Sequence, residues 1–133
     1  MMILALPSRA NSSTNILLIE DNDISRQLMS EYLKYCGYNV LELPGGSAFE
    51  TSIAAFQPDL ILLDLKLPDV DGFTLLQQVQ QHPEWLHIPI IVVSAFAFQS
   101  DQQRALSLGA RRYLVKPVKL VQLERSIQEE LAQ

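Results

Sequence analysis

The chain reads as an α/β protein: a parallel five-stranded sheet covered on both faces by five helices, a three-layer αβα sandwich. Three observations predict it. Five short apolar runs alternate with five segments of helical periodicity. The runs are continuously apolar rather than alternating, as strands buried on both faces are. Acids, a hydroxyl and a lysine stand where those runs end, and the C-terminal edge of an open parallel sheet is where sites are built.

Residues 1–15 close on the small polar string SRANSSTN and read as a flexible N-terminal segment. Met1 to Leu6 is apolar, but no basic residue precedes it, so it reads as a tail and not as a signal peptide. Ile16 to Ile19 is the first strand, and Asn22 or Asp23 caps the helix that follows. Ile24, Leu28, Met29, Tyr32, Leu33 and Cys36 recur at helical spacing, and Gly37 ends that helix. Val40 and Leu41 form a short second strand, broken by Pro44, Gly45 and Gly46. Ser47 with Glu50 has the spacing of a capping box, and Phe49, Ile53 and Phe56 share one face of the second helix, which Pro58 stops.

Leu60 to Leu63 is the third strand. A third helix turns Phe73, Leu76 and Val79 inward and ends near His82 and Pro83. Ile88 to Val93 is the fourth strand; Ser100 with Gln103 caps a fourth helix, ended by Gly109. Tyr113 to Val115 is the fifth strand, and Leu120, Leu123, Ile127 and Leu131 stripe the last helix. Asp23 and Asp71 read as helix-capping acids, and His82 and His87 as surface residues beside a Pro-Glu-Trp loop.

Composition narrows the function classes. A chain of 133 residues supports one domain with its own core. A net charge of −5 argues against a direct nucleic-acid partner. No run approaches the ~20 apolar residues of a membrane helix. The single cysteine, Cys36, cannot form an internal disulfide, which fits a reducing cytoplasm, and its place on an apolar stripe makes it a core residue.

The strand ends bring together Glu20 and Asp21, Asp64, Ser94 and Lys116. Three carboxylates close together repel unless a cation sits among them, and a hard divalent ion with oxygen ligands answers that. Lys116 and Ser94 are the residue types that meet phosphoryl oxygens. Asp64, in the centre, is a candidate nucleophile, metal ligand or base.

Four segments, IEDN at 19–22, LLDLKLPDVDG at 62–72, VSA at 93–95 and GARRYLVKP at 109–117, resemble the receiver domain of two-component response regulators. The resemblance covers residues 16–131 and implies a stand-alone, chemotaxis-regulator-like receiver with a flavodoxin-like (βα)5 fold, strand order 2-1-3-4-5. It implies that Asp64 is the phosphoacceptor, and that Glu20 and Asp21 are the acidic pair for Mg²⁺, Asp21 ligating it directly. By the same resemblance the main-chain carbonyl of Lys66 is a further ligand, Ser94 and Lys116 meet the phosphoryl group, and the Lys116–Pro117 bond is cis. Tyr113 corresponds to the family's switch aromatic, which alters the face of helix four, strand five and helix five.

The implied partners are a histidine kinase or histidine phosphotransfer protein and a downstream protein target. The implied protein is cytoplasmic, a monomer or weak homodimer, and not an enzyme in its own right. Glu20 stands where many members carry aspartate. By the same resemblance Lys66 and Phe96, each two residues beyond a site residue, border the phosphoryl group, where bulky side chains would screen attacking water and slow the loss of phosphate. Arg111 and Arg112 read either as a solvated strand edge or as a basic spot for an acidic partner, and the Phe96–Phe98 loop as half packed, half exposed. A pseudo-receiver that is never phosphorylated is the alternative function. A phosphatase with a nucleophilic aspartate is disfavoured because Lys66 breaks its D-x-D pattern, and a flavin domain because EDND places acids where a phosphate would sit.

Overall fold

The computed structural model describes residues 14–133. Five strands, β1 (Asn15–Ile19), β2 (Asn39–Leu43), β3 (Leu60–Leu63), β4 (Ile90–Ser94) and β5 (Arg112–Val115), alternate with five helices. The helices are α1 (Asp23–Tyr35), α2 (Phe49–Phe56), α3 (Gly72–Gln80), α4 (Gln99–Ser107) and α5 (Leu120–Leu131). All four strand pairings are parallel and the order is β2-β1-β3-β4-β5. This is the expected flavodoxin-like three-layer sandwich.

The sheet divides the core by side-chain alternation. Leu17, Ile19, Ile61, Leu63 and Val92 meet Phe49, Ile53, Phe73, Leu76 and Ala105 on the α2–α3–α4 side. Ile16, Leu18, Leu60, Leu62, Ile91 and Val93 meet Met29, Leu33, Leu123 and Ile127 on the α1–α5 side. Every residue of β3 is 0% exposed, and burying each such side chain contributes about 1.5–3 kcal/mol. That is why four apolar residues in a row form the central strand.

Helix ends follow the sequence in part. Asn22 caps α1 by accepting from the Ser25 amide, and Asp71 caps α3 by accepting from the Phe73 amide. Gly37 and Gly109 follow α1 and α4 with φ of 102° and 104°, the left-handed conformation that glycine adopts without Cβ strain.

Several expectations are corrected. Asn15 belongs to β1 rather than to a flexible segment: its amide donates to Asp59 and its side chain to the Phe56 carbonyl, while residues 1–13 lie outside the described residues. The Ser47–Glu50 capping box does not form, because Asp69, from the loop after β3, takes the Gly46 and Ser47 amides. Ser100 makes no cap either; α4 starts at Gln99 without a side-chain cap. Asp23 is the first helical residue, paired with Arg26, and not the cap.

Ile24 and Leu28 share the helical spacing of α1 but face outward, 71% and 54% exposed. His82 is half-buried, stacked on Trp85 at 4.0 Å and within ion-pair distance of Glu50 and Glu84. Arg111 and Arg112 offer no free basic spot: Arg112 pairs with Glu130 at 2.6 Å and Glu129 at 2.8 Å, and Arg111 with Glu130 at 3.3 Å. Phe96 packs on the core while Phe98 is exposed, as the sequence predicts.

Candidate functional site

The site sits where β1, β3, β4 and β5 end. Glu20 and Asp64 directly follow β1 and β3, Ser94 closes β4 and Lys116 follows β5. Parallel register carries these positions to one edge: Ile19 pairs with Leu63, and Ser94 with Val115. Because β1, β3 and β5 end on apolar residues and β4 ends on Ser94 itself, the polar side chain at each strand end emerges at the boundary of the core. Glu20 is 1% exposed, Asp64 5% and Ser94 0%, whereas Asp21 is exposed.

Lys116 is the hinge of the arrangement. Its Nζ lies 2.6 Å from Glu20 Oε1 and 2.9 Å from Asp64 Oδ2. The other oxygen of Asp64 accepts from the Lys66 amide at 3.2 Å, and Glu20 Oε2 accepts from the Asn22 amide at 3.0 Å. Glu20 Oε1 is fully buried and makes no aligned hydrogen bond, leaving the Lys116 ion pair as its compensation. Burial pushes the Glu20 carboxyl above its ordinary range, only partly offset by Lys116 and the Asn22 amide. Burial disfavours the charge on Lys116 as well, but Glu20 and Asp64 together outweigh it and hold the ammonium above its ordinary value.

Carboxylate oxygens of Glu20, Asp21 and Asp64 all come within 4.8 Å of one another, the one such group among the described residues. Three hard oxygen donors at that spacing, one of them buried without an aligned hydrogen bond, suit a divalent cation of the Mg²⁺ or Mn²⁺ kind. Ser94 Oγ accepts from the Phe96 amide at 3.2 Å. Tyr113 lies half-buried, its hydroxyl donating to the Phe96 carbonyl at 2.8 Å, and burial raises its pKa above the ordinary phenol value. The Lys116–Pro117 bond is cis.

Two supporting residues escaped the sequence reading. Arg26 donates to the Glu20 carbonyl at 2.9 Å and pairs with Asp23 at 2.7 Å, so it braces the loop carrying the acidic pair. Its place five residues after Asp21, on the first turn of α1, was the available signal. Asp69 ties two loops together across 22 and 23 residues of sequence, and nothing local announces it.

Known proteins match this architecture. A family model described as the response regulator receiver domain matches residues 16–128. The polar-differentiation response regulator DivK of Brucella anthropi is 29% identical over 117 residues, 88% of this chain and 95% of that protein. The BeF3-activated N-terminal receiver domain of Klebsiella pneumoniae RstA superposes with a TM-score of 0.83 at 28% identity, covering 90% of this chain and 100% of that one. The Mn(2+)-bound form of response regulator Rcp1 gives a TM-score of 0.72 at 30% identity, covering 87% of this chain and 90% of that one. The family match runs from the second residue of β1 into α5, across the whole constellation of strand ends, and the chain therefore belongs to the response regulator receiver domain family of two-component systems.

Proposed function

We propose that this protein is a cytoplasmic phosphorylation-dependent switch that accepts a phosphoryl group on Asp64 from a histidine kinase or histidine phosphotransfer protein. The observation that carries the reading is the placement of Asp64 between a fixed ammonium, Lys116 at 2.9 Å, and the Glu20 and Asp21 carboxylates. Glu20, Asp21, Asp64 and the Lys66 carbonyl would hold a divalent cation, Mg²⁺ in the cell, which would supply neutralisation of charge on the phosphoryl oxygens. RstA in its BeF3-activated form and Rcp1 in its Mn(2+)-bound form support both halves of that reading.

In the transfer, a carboxylate oxygen of Asp64 attacks phosphorus in line. The O–P bond forms as the P–N bond to the donor histidine breaks, and the imidazole nitrogen keeps the electron pair. Lys116 holds a positive charge against the oxygens and stays protonated throughout. Ser94 then turns its hydroxyl toward the phosphoryl group, and Tyr113 leaves the Phe96 carbonyl for the space vacated. The face formed by α4, β5 and α5 changes, which is how a local charge event biases a two-state element. The protein either controls a partner through that face or passes the phosphate on. It is not an enzyme with a substrate of its own.

A protein donor has a seat beside the site. An open apolar groove of about 400 Å³, lined by Leu28, Met29, Val93, Pro117, Val118 and Leu120, shares Lys116 with the acidic cluster. A donor protein seated in that groove, against half-exposed Leu28, would have its phosphohistidine on the Lys116 side of Asp64.

The test is incubation with acetyl phosphate, with and without Mg²⁺, followed by mass spectrometry of wild type and Asp64→Asn. Mg²⁺-dependent addition of one phosphoryl group to wild type alone is expected. A wild type that stays unmodified overturns the reading and leaves a phosphorylation-independent interaction module.

A further inference from the structure

The glycine pair at 45–46 and Asp69 lie 23 residues apart yet form one junction. Asp69 Oδ1 accepts from the Gly46 amide at 3.0 Å and Oδ2 from the Ser47 amide at 2.9 Å. The fit is close: a Cβ on Gly45 would stand 2.7 Å from Asp69 Oδ1, and one on Gly46 only 2.2 Å from the Val70 side chain. These contacts fasten the loop after β3 to the turn before α2. The same loop is pinned at its other end, where Lys66 bridges to Asp71 and the Gly72 amide donates to the Leu65 carbonyl at 2.9 Å. Within it the Lys66 amide donates to Asp64 Oδ1.

We infer that Asp69 is a positioning residue: its clasp on the Gly46 and Ser47 amides fixes the loop that aims the Asp64 carboxylate and the Lys66 main chain at the cation. Asp69 belongs to neither the acidic cluster nor the core. Its carboxylate is solvent-facing and spends both oxygens on backbone from another element. Such bonds to main-chain amides are charge-assisted and directional, so releasing them frees the segment between Leu65 and Asp71 to move. The inference rests on the reading of Glu20, Asp21 and Asp64 as a divalent-cation site.

The test is Mn²⁺ affinity, read by electron paramagnetic resonance of the free ion, in wild type, Asp69→Ala, Asp69→Asn and Gly45→Ala. Asp59→Ala is the control, because Asp59 also accepts from a backbone amide, that of Asn15 at 2.8 Å, at the opposite edge of the sheet. Supporting partners of metal ligands change affinity by roughly tenfold or more, and that is the loss expected for Asp69→Ala. Asp69→Asn, which keeps one acceptor oxygen, falls between alanine and wild type. Gly45→Ala, whose methyl pushes the carboxylate off its amides, loses affinity too and gives the answer if Asp69→Ala does not fold. Asp59→Ala binds Mn²⁺ as wild type does. Wild-type affinity in Asp69→Ala or in Gly45→Ala overturns the inference, as does an equal loss in Asp59→Ala. A wild type that binds no Mn²⁺ overturns the inference together with the reading of the site.

Discussion

Lys116 is the cation that the chain supplies to its own acids. Its ammonium lies against Glu20 at 2.6 Å and Asp64 at 2.9 Å, and both carboxylates are buried. Removing one member of a buried charge pair is strongly destabilising because the other is left uncompensated. Lys116→Gln should therefore lower the stability of the metal-free protein by about 3 kcal/mol, and Mg²⁺ should raise its melting temperature more than it raises that of wild type. Differential scanning calorimetry with and without Mg²⁺ measures both.

Asp69 yields a pH dependence with a definite sign. Its bonds to the Gly46 and Ser47 amides hold the carboxyl below its ordinary range. A folded pKa below the unfolded one stabilises fully above the unfolded value and is lost as pH falls through the folded value. Asp69→Asn is thus expected to be less stable than wild type at neutral pH, with the gap closing below about pH 4. Urea titrations at pH 7 and pH 3 check it; a gap that persists in acid contradicts the assignment.

At the scale of elements, α1 and α5 present opposite lessons. The sequence of α1 offers an apolar stripe, but only part of it serves the core: Met29 and Leu33 are buried while Ile24 and Leu28 face solvent, Leu28 on the wall of the groove at Lys116. Leu28→Asp should leave stability within about 0.5 kcal/mol of wild type, as exposed substitutions do. It should slow phosphoryl transfer from a protein phosphohistidine donor and leave the rate with acetyl phosphate unchanged. Equal rates with both donors would remove the groove from the donor's path.

Helix α5 is tied to the start of β5 by Glu130, 7% exposed and held by Arg111 and Arg112. Hydrogen bonds to charged groups contribute roughly 1.5–3 kcal/mol, so Glu130→Ala should destabilise by about 2 kcal/mol. Chemical denaturation measures it.

Taken whole, the molecule is one sheet with two cores and one working edge. Addition of beryllofluoride with Mg²⁺ is expected to shift the amide resonances of Ser94, Phe96 and Tyr113 and the α4–β5–α5 face, and to leave β2 and α2 nearly unmoved. Changes spread evenly over the chain would argue against a switch centred on Tyr113. The basic pair that the sequence offers as a docking spot on that face is spent internally, on Glu129 and Glu130.

What the sequence determined by itself was the alternation of elements, the parallel sheet and the identity of the strand-end residues. Those features are local: a continuously apolar strand buries both faces, and the first polar residue after it must fall at the sheet edge. Only tertiary structure decided the rest. Lys116 meets Glu20 across 96 residues of chain, Asp69 rather than Ser47 serves the turn before α2, and Ile24 and Leu28 of the α1 stripe stay outside the core. Each of these is a competition for partners between segments distant in sequence. Spacing along the chain can nominate a cap, a stripe or a free charge, but which acid reaches a given amide or ammonium is settled by how the elements pack.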